Sequence, residues 1–268
     1  MKSPVVVLVH PQAYGNLGAV ARSMANFGFS ELRVVGKVPN PNAGFAAGQE
    51  IAQSDWAMAT PRGHAILKNL SVYPDLASAV ADCAYVVGTS GKKDAYHGGY
   101  DRPVSSPEAT FAEDHFGEAS ALVFGPEDDG LSAEDAGHCD VLVHIPTSVE
   151  APSMNLAMAA TLIFYSFHLA KLRDEEAGTD RTRPRKQPSR GEASTAGHME
   201  SLVRYVLECL QETQFNKTPD AESTRARLRR VLRSWQLNQG DLLFVFEVFY
   251  QLKCWGQGKY EERNFLSK

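Results

Sequence analysis

Short apolar runs bounded by Gly, Pro or small polar residues recur through roughly the first 170 residues of the chain. Runs of this kind predict strands that are buried on both faces of a parallel sheet. They lie at Val5–Val9, Glu31–Gly36, Tyr85–Gly88, Ala121–Phe124 and Val141–Ile145. Between the first two runs, apolar residues recur at spacings of three and four, which predicts a helix with one apolar face. Strand, helix and strand in this order form a βαβ unit with a right-handed crossover, so the sequence predicts an α/β fold.

The first predicted helix carries one charged residue, Arg22, away from its apolar face. Arg22 is either a solvated surface residue or a functional one, and spacing alone does not decide. Gly28 follows the helix and suits its C-terminal cap. The apolar residues of this helix are Leu17, Val20, Met24 and Phe27. Further helices are predicted at Gln49–Ala59, His64–Leu70, Asp75–Cys83 and Ser106–His115.

A longer helix is predicted from Asn155 to Leu172, and it is apolar over most of its circumference. Such a helix needs burial on more than one side. The sheet covers one side, and a symmetric partner subunit is the simplest candidate for the other. Asn155 and the nearby Ser153 suit the N-terminal cap of this helix.

The composition changes after residue 173. Residues 174–197 are rich in charge, Gly, Ser, Thr and Pro, which predicts a flexible linker between a domain at 1–173 and a module at 198–268. The module contains three helical patterns, at Met199–Thr213, Ala221–Trp235 and Asp241–Trp255. The linker holds a basic run, and the middle helix of the module carries Arg225, Arg227, Arg229, Arg230 and Arg233. This local charge is typical of an RNA-binding module, although a solvated linker and a solubilising helix surface remain open.

Charge, apolar stretches and cysteine spacing each argue against certain classes of protein. The net charge of −5 argues mildly against a nucleic-acid partner for the chain as a whole, so the local basic segments matter more. No apolar stretch has the roughly twenty residues that span a bilayer, and the first residues favour a strand over a secretion signal, so we expect a cytoplasmic protein. The four cysteines form no Cys-x-x-Cys pair, which favours buried thiols over a disulfide or metal set.

Three of the predicted strands end in loops of small residues. The loops begin at Thr89-Ser90-Gly91, at Gly125-Pro126-Glu127 and at Ile145-Pro146-Thr147. In open parallel sheets, ligands bind outside the carboxyl ends of the strands. The sequence therefore predicts one ligand site enclosed by these three loops.

Common cofactor and hydrolase motifs are absent from the sequence. It has no Gly-x-Gly-x-x-Gly after the first strand, no phosphate-binding Gly-x-x-x-x-Gly-Lys-Ser/Thr, no His-Glu-x-x-His and no Gly-x-Ser-x-Gly. Three other motifs are present in order. They are Asn16-x-Gly18-x-x-x-Arg22, Phe124-Gly-Pro-Glu127-x-x-Gly130-Leu131, and Ile145-Pro146 followed by Ser153-Met-Asn155-Leu-Ala.

Together these motifs resemble those of the SPOUT class of methyltransferases, in particular its TrmH-related branch of RNA ribose 2′-O-methyltransferases. The length and the helical module are most like the TrmJ type, which methylates the ribose at position 32 of the tRNA anticodon loop. The resemblance implies an α/β sheet whose C-terminal part forms a deep trefoil knot. It also implies S-adenosyl-methionine as cofactor, tRNA as the RNA partner and a homodimer in which each active site borrows from the partner.

The resemblance also implies roles for individual residues. Cofactor contacts are expected from Thr89, Ser90, Gly91, Gly125, Ile145, Pro152, Ser153, Met154 and Leu156. Residues expected in catalysis and substrate binding are Asn16, Arg22, Glu127, Ser153 and Asn155. Arg22 would act with a substrate phosphate to accept or relay the proton of the ribose 2′-hydroxyl, while Asn16 and Glu127 would fix the orientation of that hydroxyl. Because arginine stays protonated, its more defensible role is electrostatic.

Two alternatives remain at this point. One is an enzyme that methylates ribosomal RNA by the same chemistry. The other is a non-catalytic RNA-binding protein on the same scaffold, against which the intact set of motif residues speaks. No motif indicates a metal site.

Overall fold

The computed structural model describes residues 2–38, 59–91, 104–112, 116, 119–179, 194–212, 221–235 and 237–256. The chain divides into two compact units. The first comprises Met1–Gln187 with Thr195–Gly197, and the second comprises Pro188–Ser194 with His198–Lys268. The predicted helix at Gln49–Ala59 lies almost entirely outside the described residues.

Among the described residues, a parallel sheet of seven strands forms the centre of the first unit. The strands are β1 (Val5–Val9), β2 (Leu32–Val35), β3 (Ser71–Tyr73), β4 (Tyr85–Ser90), β5 (Val104–Ser105), β6 (Ser120–Phe124) and β7 (Val141–His144). Their order across the sheet is β3-β2-β1-β6-β4-β7-β5. The α/β prediction is confirmed, and so are the five strands predicted from apolar runs.

The two strands that the sequence did not predict, β3 and β5, lie at the two edges of the sheet. Ser71 and Val72 are exposed, and Val104 and Ser105 are half-buried. An edge strand pairs with one neighbour and does not need two apolar faces. Neither segment therefore has the continuous apolar pattern that identifies the central strands.

Helices cover both faces of the sheet. In chain order they are α1 (Tyr14–Asn26), α2 (Pro61–Lys68), α3 (Leu76–Ala79), α4 (Pro107–Phe111), α5 (Ala133–Gly137) and α6 (Leu156–Thr179). Successive side chains of β1 point to opposite faces: Val6 and Leu8 pack with α1, α2, α4 and α6, whereas Val5, Val7 and Val9 pack with α3 and the neighbourhood of α5. The first unit is therefore a three-layer α/β/α structure.

Helix boundaries agree with the predictions at the end of α1 and the start of α4. Helix α2 begins at Pro61, before its predicted start at His64, because Thr60 caps it. Helix α4 ends at Phe111, before its predicted end at His115. Gly28 follows α1 with a φ of 78°, in the left-handed region, as its predicted capping role requires. Ser106 caps α4, and its hydroxyl accepts from the Ala109 N–H. The predicted helix at Asp75–Cys83 is shorter than expected, because α3 ends at Ala79 and Asp75 is its N-cap.

Helix α6 extends beyond its predicted end at Leu172 and continues to Thr179. The first part of the predicted linker is therefore helical, while residues 180–193 lie outside the described residues. One face of α6 packs on the sheet through Ala160, Ile163, Phe164 and Phe167. The opposite face leaves Met158, Leu162, Tyr165 and Leu172 exposed by 65%, 41%, 48% and 40%.

The second unit contains most of α7 (Ala196–Glu212) together with α8 (Ala221–Ser234) and α9 (Gln239–Gly256), which confirms the three predicted helices. Its core contains Met199, Leu202, Val203, Val206, Leu232 and Leu242. The arginines of α8 do not form one basic surface. Arg229 is 4% exposed and binds the Glu200 carboxylate through Nε and Nη2 at 2.8 and 2.9 Å. Arg233 is also buried, so the basic face of α8 is smaller than the sequence indicated.

Three cysteines, Cys83, Cys139 and Cys209, are buried as thiols, and Cys254 is half-buried. Burial, followed by the nearby Asp82 charge, raises the pKa of the Cys83 thiol to about 12. This thiol is therefore protonated near neutral pH. Within the described ranges, none of the helices has the length and apolarity needed to cross a bilayer.

Candidate active site

A cavity of about 380 Å³ opens at the carboxyl ends of β4, β6 and β7. Its walls come from the end of β4, from the loop between β6 and α5, and from the loop between β7 and α6. All nine residues predicted to contact a cofactor line this cavity. The geometric expectation that three loops enclose one site is confirmed, while the contact of these residues with a cofactor stays a prediction.

Gly125 allows the loop after β6 to fold back tightly on itself. A Cβ atom at Gly125 would lie 2.2 Å from the Leu131 backbone nitrogen and 2.3 Å from the Gly130 carbonyl carbon. Both neighbours are backbone atoms, so the loop could not keep its path with any other residue at 125. Gly130 has a φ of 71°, which a glycine adopts without strain.

Hydrogen bonds fix the other two walls. The Thr89 hydroxyl donates to the Val123 carbonyl at 3.1 Å, and Nδ1 of His144 lies 3.1 Å from the Ser90 carbonyl oxygen. In the loop after β7, the Thr147 hydroxyl donates to the Pro152 carbonyl at 3.2 Å. This bond closes the loop on which Pro152, Ser153 and Met154 reach the cavity.

The carboxylate of Glu127 lies beside the cavity and accepts three hydrogen bonds. Its Oε2 accepts from the Gln12 N–H at 2.9 Å, and its Oε1 accepts from the Ala13 N–H at 3.0 Å and from Asn16 Nδ2 at 2.9 Å. Burial acts to raise the pKa of Glu127, but the three donors outweigh it and hold the pKa below its usual value. Glu127 is therefore an ionised anchor for the start of α1.

Asn16 also forms a hydrogen bond with Asn155 at the start of α6. Its Oδ1 accepts from Asn155 Nδ2 at 2.9 Å, and Asn155 Oδ1 accepts from the Ala157 N–H at 2.9 Å. Asn155 thus caps α6, as the sequence predicted, and also holds α1. We call the chain of Glu127, Asn16 and Asn155 the polar relay. It joins α1 to the β6 loop and to α6, whose residues lie 111 and 139 positions away from Asn16 along the chain.

Replacing Glu127 with Gln should destabilise the protein by about 1–2 kcal/mol, measured by chemical denaturation at pH 7. In either orientation of the Gln amide, its NH2 group replaces a carboxylate oxygen. This group cannot accept a hydrogen bond, yet it faces an N–H donor. Glu134→Gln is the matched control, because Glu134 is an exposed carboxylate on α5. Equal stability of the Glu127→Gln protein and wild type would show that the three hydrogen bonds do not hold this loop.

The same carboxylate predicts a dependence on pH. Since the pKa of Glu127 is lower in the folded state, its stabilising contribution is fully present above the unfolded value of about 4.3 and is lost as the pH falls through the folded value. The stability difference between wild type and Glu127→Gln should therefore shrink below about pH 4.

The remaining predicted catalytic residues, Ser153 and Arg22, occupy different positions. Ser153 is exposed and lines the cavity. Arg22 is exposed on α1, about 9 Å along the helix axis from Asn16, and is not part of the cavity wall. Four of the five predicted residues are therefore in the relay or the cavity wall, and Arg22 lies further along α1.

Sequence reasoning missed several residues at this site. The backbone N–H groups of Gln12 and Ala13 hold Glu127, and Asp128 and Asp129 contribute to the cavity wall. These two aspartates lie between Gly125 and Gly130 in the same loop as Glu127, which is the signal that could have identified them. In the part of the chain that the structure describes, no cluster of His, Cys, Asp or Glu could hold a metal ion.

Comparison with known proteins identifies the family. Residues 3–165, more than half of the chain, match the model of the SpoU rRNA Methylase family. The chain belongs to the SpoU rRNA methylase family. The matched segment contains β1 to β7, the cavity and the polar relay, so the predicted resemblance to RNA methyltransferases is confirmed.

Several proteins that are similar to this chain have been named by activity. The chain is 37% identical over 175 residues to the tRNA (cytidine-2'-O-)-methyltransferase TrmJ of Methanocaldococcus jannaschii, covering 63% of this chain and 69% of the relative. It is 31% identical over 236 residues to the tRNA (cytidine/uridine/adenosine-2'-O-)-methyltransferase TrmJ of Pseudomonas aeruginosa, covering 84% of each chain. The crystal structure of TrmJ from Z. mobilis superposes with a TM-score of 0.74 at 26% identity, covering 94% of this chain and 99% of the other.

Proposed function

We propose that this protein transfers a methyl group from S-adenosyl-methionine to the 2′-hydroxyl of a tRNA ribose, at position 32 of the anticodon loop. One observation carries the proposal: the cavity contains all nine residues expected to bind the cofactor and lies beside a relay of three expected catalytic residues. The names of the TrmJ relatives support tRNA and the 2′-oxygen. Position 32 rests on the resemblance of the sequence to the TrmJ type.

The cavity fits a ligand of this kind. Its volume of about 380 Å³ falls in the usual range for small-molecule sites. Its wall combines apolar side chains, such as Leu142, Ile145 and Leu156, with the polar groups of Thr89 and Ser90. S-adenosyl-methionine, when bound, supplies an electrophilic methyl group on a positively charged sulfur.

The polar relay would act by positioning. Glu127 is already bonded to three donors and its pKa is lowered, so it is a poor candidate for the base that takes the ribose proton. Asn16 and Asn155 hold the start of α1 against the start of α6. Most of the rate acceleration would then come from placing the ribose oxygen in line with the methyl group.

Arg22 would act by electrostatics. An arginine guanidinium is a permanent positive charge, so Arg22 can bind a substrate phosphate and stabilise the developing negative charge on the 2′-oxygen, while that phosphate accepts the 2′-hydroxyl proton. Because Arg22 lies outside the cavity wall, it is available to RNA without contacting the cofactor.

We also propose a homodimer that packs through α6. Met158, Leu162, Tyr165 and Leu172 follow the helical spacing of four, three and seven residues and form an exposed apolar stripe. In a two-fold dimer the same stripe would cover itself on the partner. This arrangement would bring α1 of one protomer near the cavity of the other, and Arg22 would then act across the interface.

The double variant Met158→Glu/Leu162→Glu should convert the protein to a monomer and lower methyl transfer at least tenfold. Light scattering after size-exclusion chromatography measures the mass. Val72→Glu is the matched control, since Val72 is a similarly exposed apolar residue on the edge strand β3. A double variant that remains dimeric would place the dimer interface elsewhere.

A trefoil knot and an RNA-binding role for the second unit also belong to the proposal. Strand β7 follows β4 and β5 in the sequence but lies between them in the sheet, a strand order that is compatible with a knot in this segment. Arg204 on α7 and Arg227 on α8 are exposed, so these basic groups of the second unit are available for contact with RNA. We expect this contact to take place in the cytoplasm.

Mass-spectrometric mapping of nucleosides tests the proposed reaction. The full chain is incubated with isotope-labelled S-adenosyl-methionine and either an unmodified tRNA transcript or ribosomal RNA. We expect a labelled 2′-O-methyl group at position 32 of the tRNA. Labelling of ribosomal RNA alone would identify an rRNA enzyme, and cofactor binding or RNA binding without labelling would indicate a non-catalytic protein.

A further inference from the structure

A polar contact joins the last turn of α1 to α6 at a place where the surrounding side chains are apolar. Ser23 is 5% exposed, and its hydroxyl donates to Thr161 Oγ1 at 2.9 Å. The Thr161 hydroxyl in turn donates to the Ala157 carbonyl at 2.7 Å. Around them, the same two helices bury Val20, Met24, Ala160 and Phe164 in the core. Neither Ser23 nor Thr161 belongs to the motifs identified in the sequence.

This contact is the second of two links between the same helices. The first is the bond from Asn155 to Asn16, and Ser23 lies about 10 Å further along α1 than Asn16. Both links advance in the same direction along the chain, so α1 and α6 run side by side. One link restrains α1 at a single point, whereas two links that are separated along the helix also restrain its rotation and axial position on α6.

A hydrogen bond specifies geometry in a way that apolar packing does not. Hydrophobic burial is non-directional and tolerates small rotations of one helix on another, while a buried hydroxyl must meet its partner within a narrow range of distance and angle. Buried polar pairs can therefore select one register of two helices without adding much stability.

The rotation of α1 on α6 sets the direction of the Arg22 side chain. It immediately precedes Ser23, and successive residues of a helix are rotated by about 100°. With Ser23 directed into the interface, Arg22 is directed along the exposed side of α1. A rotation of α1 by a fraction of a turn would move the guanidinium by several ångströms, because the arginine side chain is long.

We propose that Ser23 and Thr161 are positioning residues, whose hydrogen bond holds α1 at the rotation in which Arg22 reaches the RNA. This inference rests on the proposed role of Arg22 in ribose methylation. The pair acts through Arg22 and does not touch the cofactor, since neither residue lines the cavity.

The test compares Ser23→Ala, Thr161→Val and the double variant, measuring kcat, KM for each substrate and Tm. Thr161→Val leaves the buried Ser23 hydroxyl without its acceptor, so we expect Tm to fall by about 2–6 °C. In the double variant both polar groups are gone, so Tm should return to near the wild-type value. The kcat of the double variant should nevertheless stay at least about tenfold below wild type, with KM for S-adenosyl-methionine unchanged, because α1 is no longer held in register.

Two controls separate positioning from packing. Thr161→Ser keeps the hydroxyl and should retain most of the wild-type kcat. Thr110→Val changes another buried threonine, on α4, whose hydroxyl has no hydrogen-bond partner among the described residues, and it should leave kcat unchanged. A double variant with both Tm and kcat at wild-type levels would overturn the proposal for the pair alone. If the wild-type protein methylates no RNA, the proposed reaction is rejected, and the proposed role of Ser23 and Thr161 is rejected with it.

Discussion

Replacing Arg22 with Ala should lower kcat for tRNA methylation by at least about 10²–10³-fold, because the reaction loses a fixed positive charge next to the developing oxyanion. The Kd for S-adenosyl-methionine should stay near the wild-type value, since Arg22 is not part of the cavity wall. Stability should also be unchanged, because the side chain is exposed on α1. Single-turnover kinetics measures the first effect and isothermal titration calorimetry the second.

The matched control for this variant is Arg62→Ala. Arg62 is an exposed arginine in the first turn of α2, and the adjacent Gly63 packs closely on the α1 backbone at Ala21 and Arg22. We expect Arg62→Ala to keep kcat within about twofold of wild type. Methyl transfer that persists at the wild-type rate in Arg22→Ala would reject the role of Arg22, and equal losses in both variants would indicate a general requirement for positive charge.

The second large effect is expected for Gly125→Ala. The added Cβ would lie 2.2 Å from the Leu131 nitrogen and 2.3 Å from the Gly130 carbonyl carbon, so the loop after β6 must move. Since this loop forms one wall of the cavity, we expect the Kd for S-adenosyl-methionine to rise at least about tenfold, equivalent to 1.4 kcal/mol. The free energy of unfolding should fall by about 1–3 kcal/mol.

Gly15→Ala is the control for a methyl group added to a glycine. Gly15 lies in the first turn of α1, and no atom lies within 4 Å of the position that its Cβ would take. This change should leave the cofactor Kd unchanged and stabilise the protein by up to about 1 kcal/mol. Normal cofactor binding by Gly125→Ala would show that the tight fold of the β6 loop does not shape the cofactor site.

The fold was predictable from sequence wherever burial on two sides imposes a continuous apolar pattern. Strands β1, β2, β4, β6 and β7 have this pattern, and their shared direction brings their carboxyl ends to one edge of the sheet. The gathering of Thr89, Gly125 and Ile145 around one cavity follows from that rule. The edge strands β3 and β5 could not be predicted in this way, because they are partly exposed.

Contacts between distant residues explain most of what the sequence could not predict. The three donors to Glu127 lie more than 100 residues before it in the chain. Only the folded structure shows that its carboxylate already accepts three hydrogen bonds. Similarly, the spacing of arginines on α8 predicted a basic surface, but Arg229 is turned inward by Glu200 on α7. The charge pattern of one helix does not show which of its arginines will form an ion pair with a residue on another helix.

The most direct test of the account is a crystal structure of the full chain with S-adenosyl-homocysteine bound, in which the position of the ligand sulfur is measured against Arg22 of both protomers. We expect the ligand in the cavity lined by Gly125, Ile145 and Met154, with Arg22 of one protomer facing the sulfur across a space that a ribose can occupy. A ligand bound outside this cavity, or an Arg22 directed away from it in both protomers, would contradict the account.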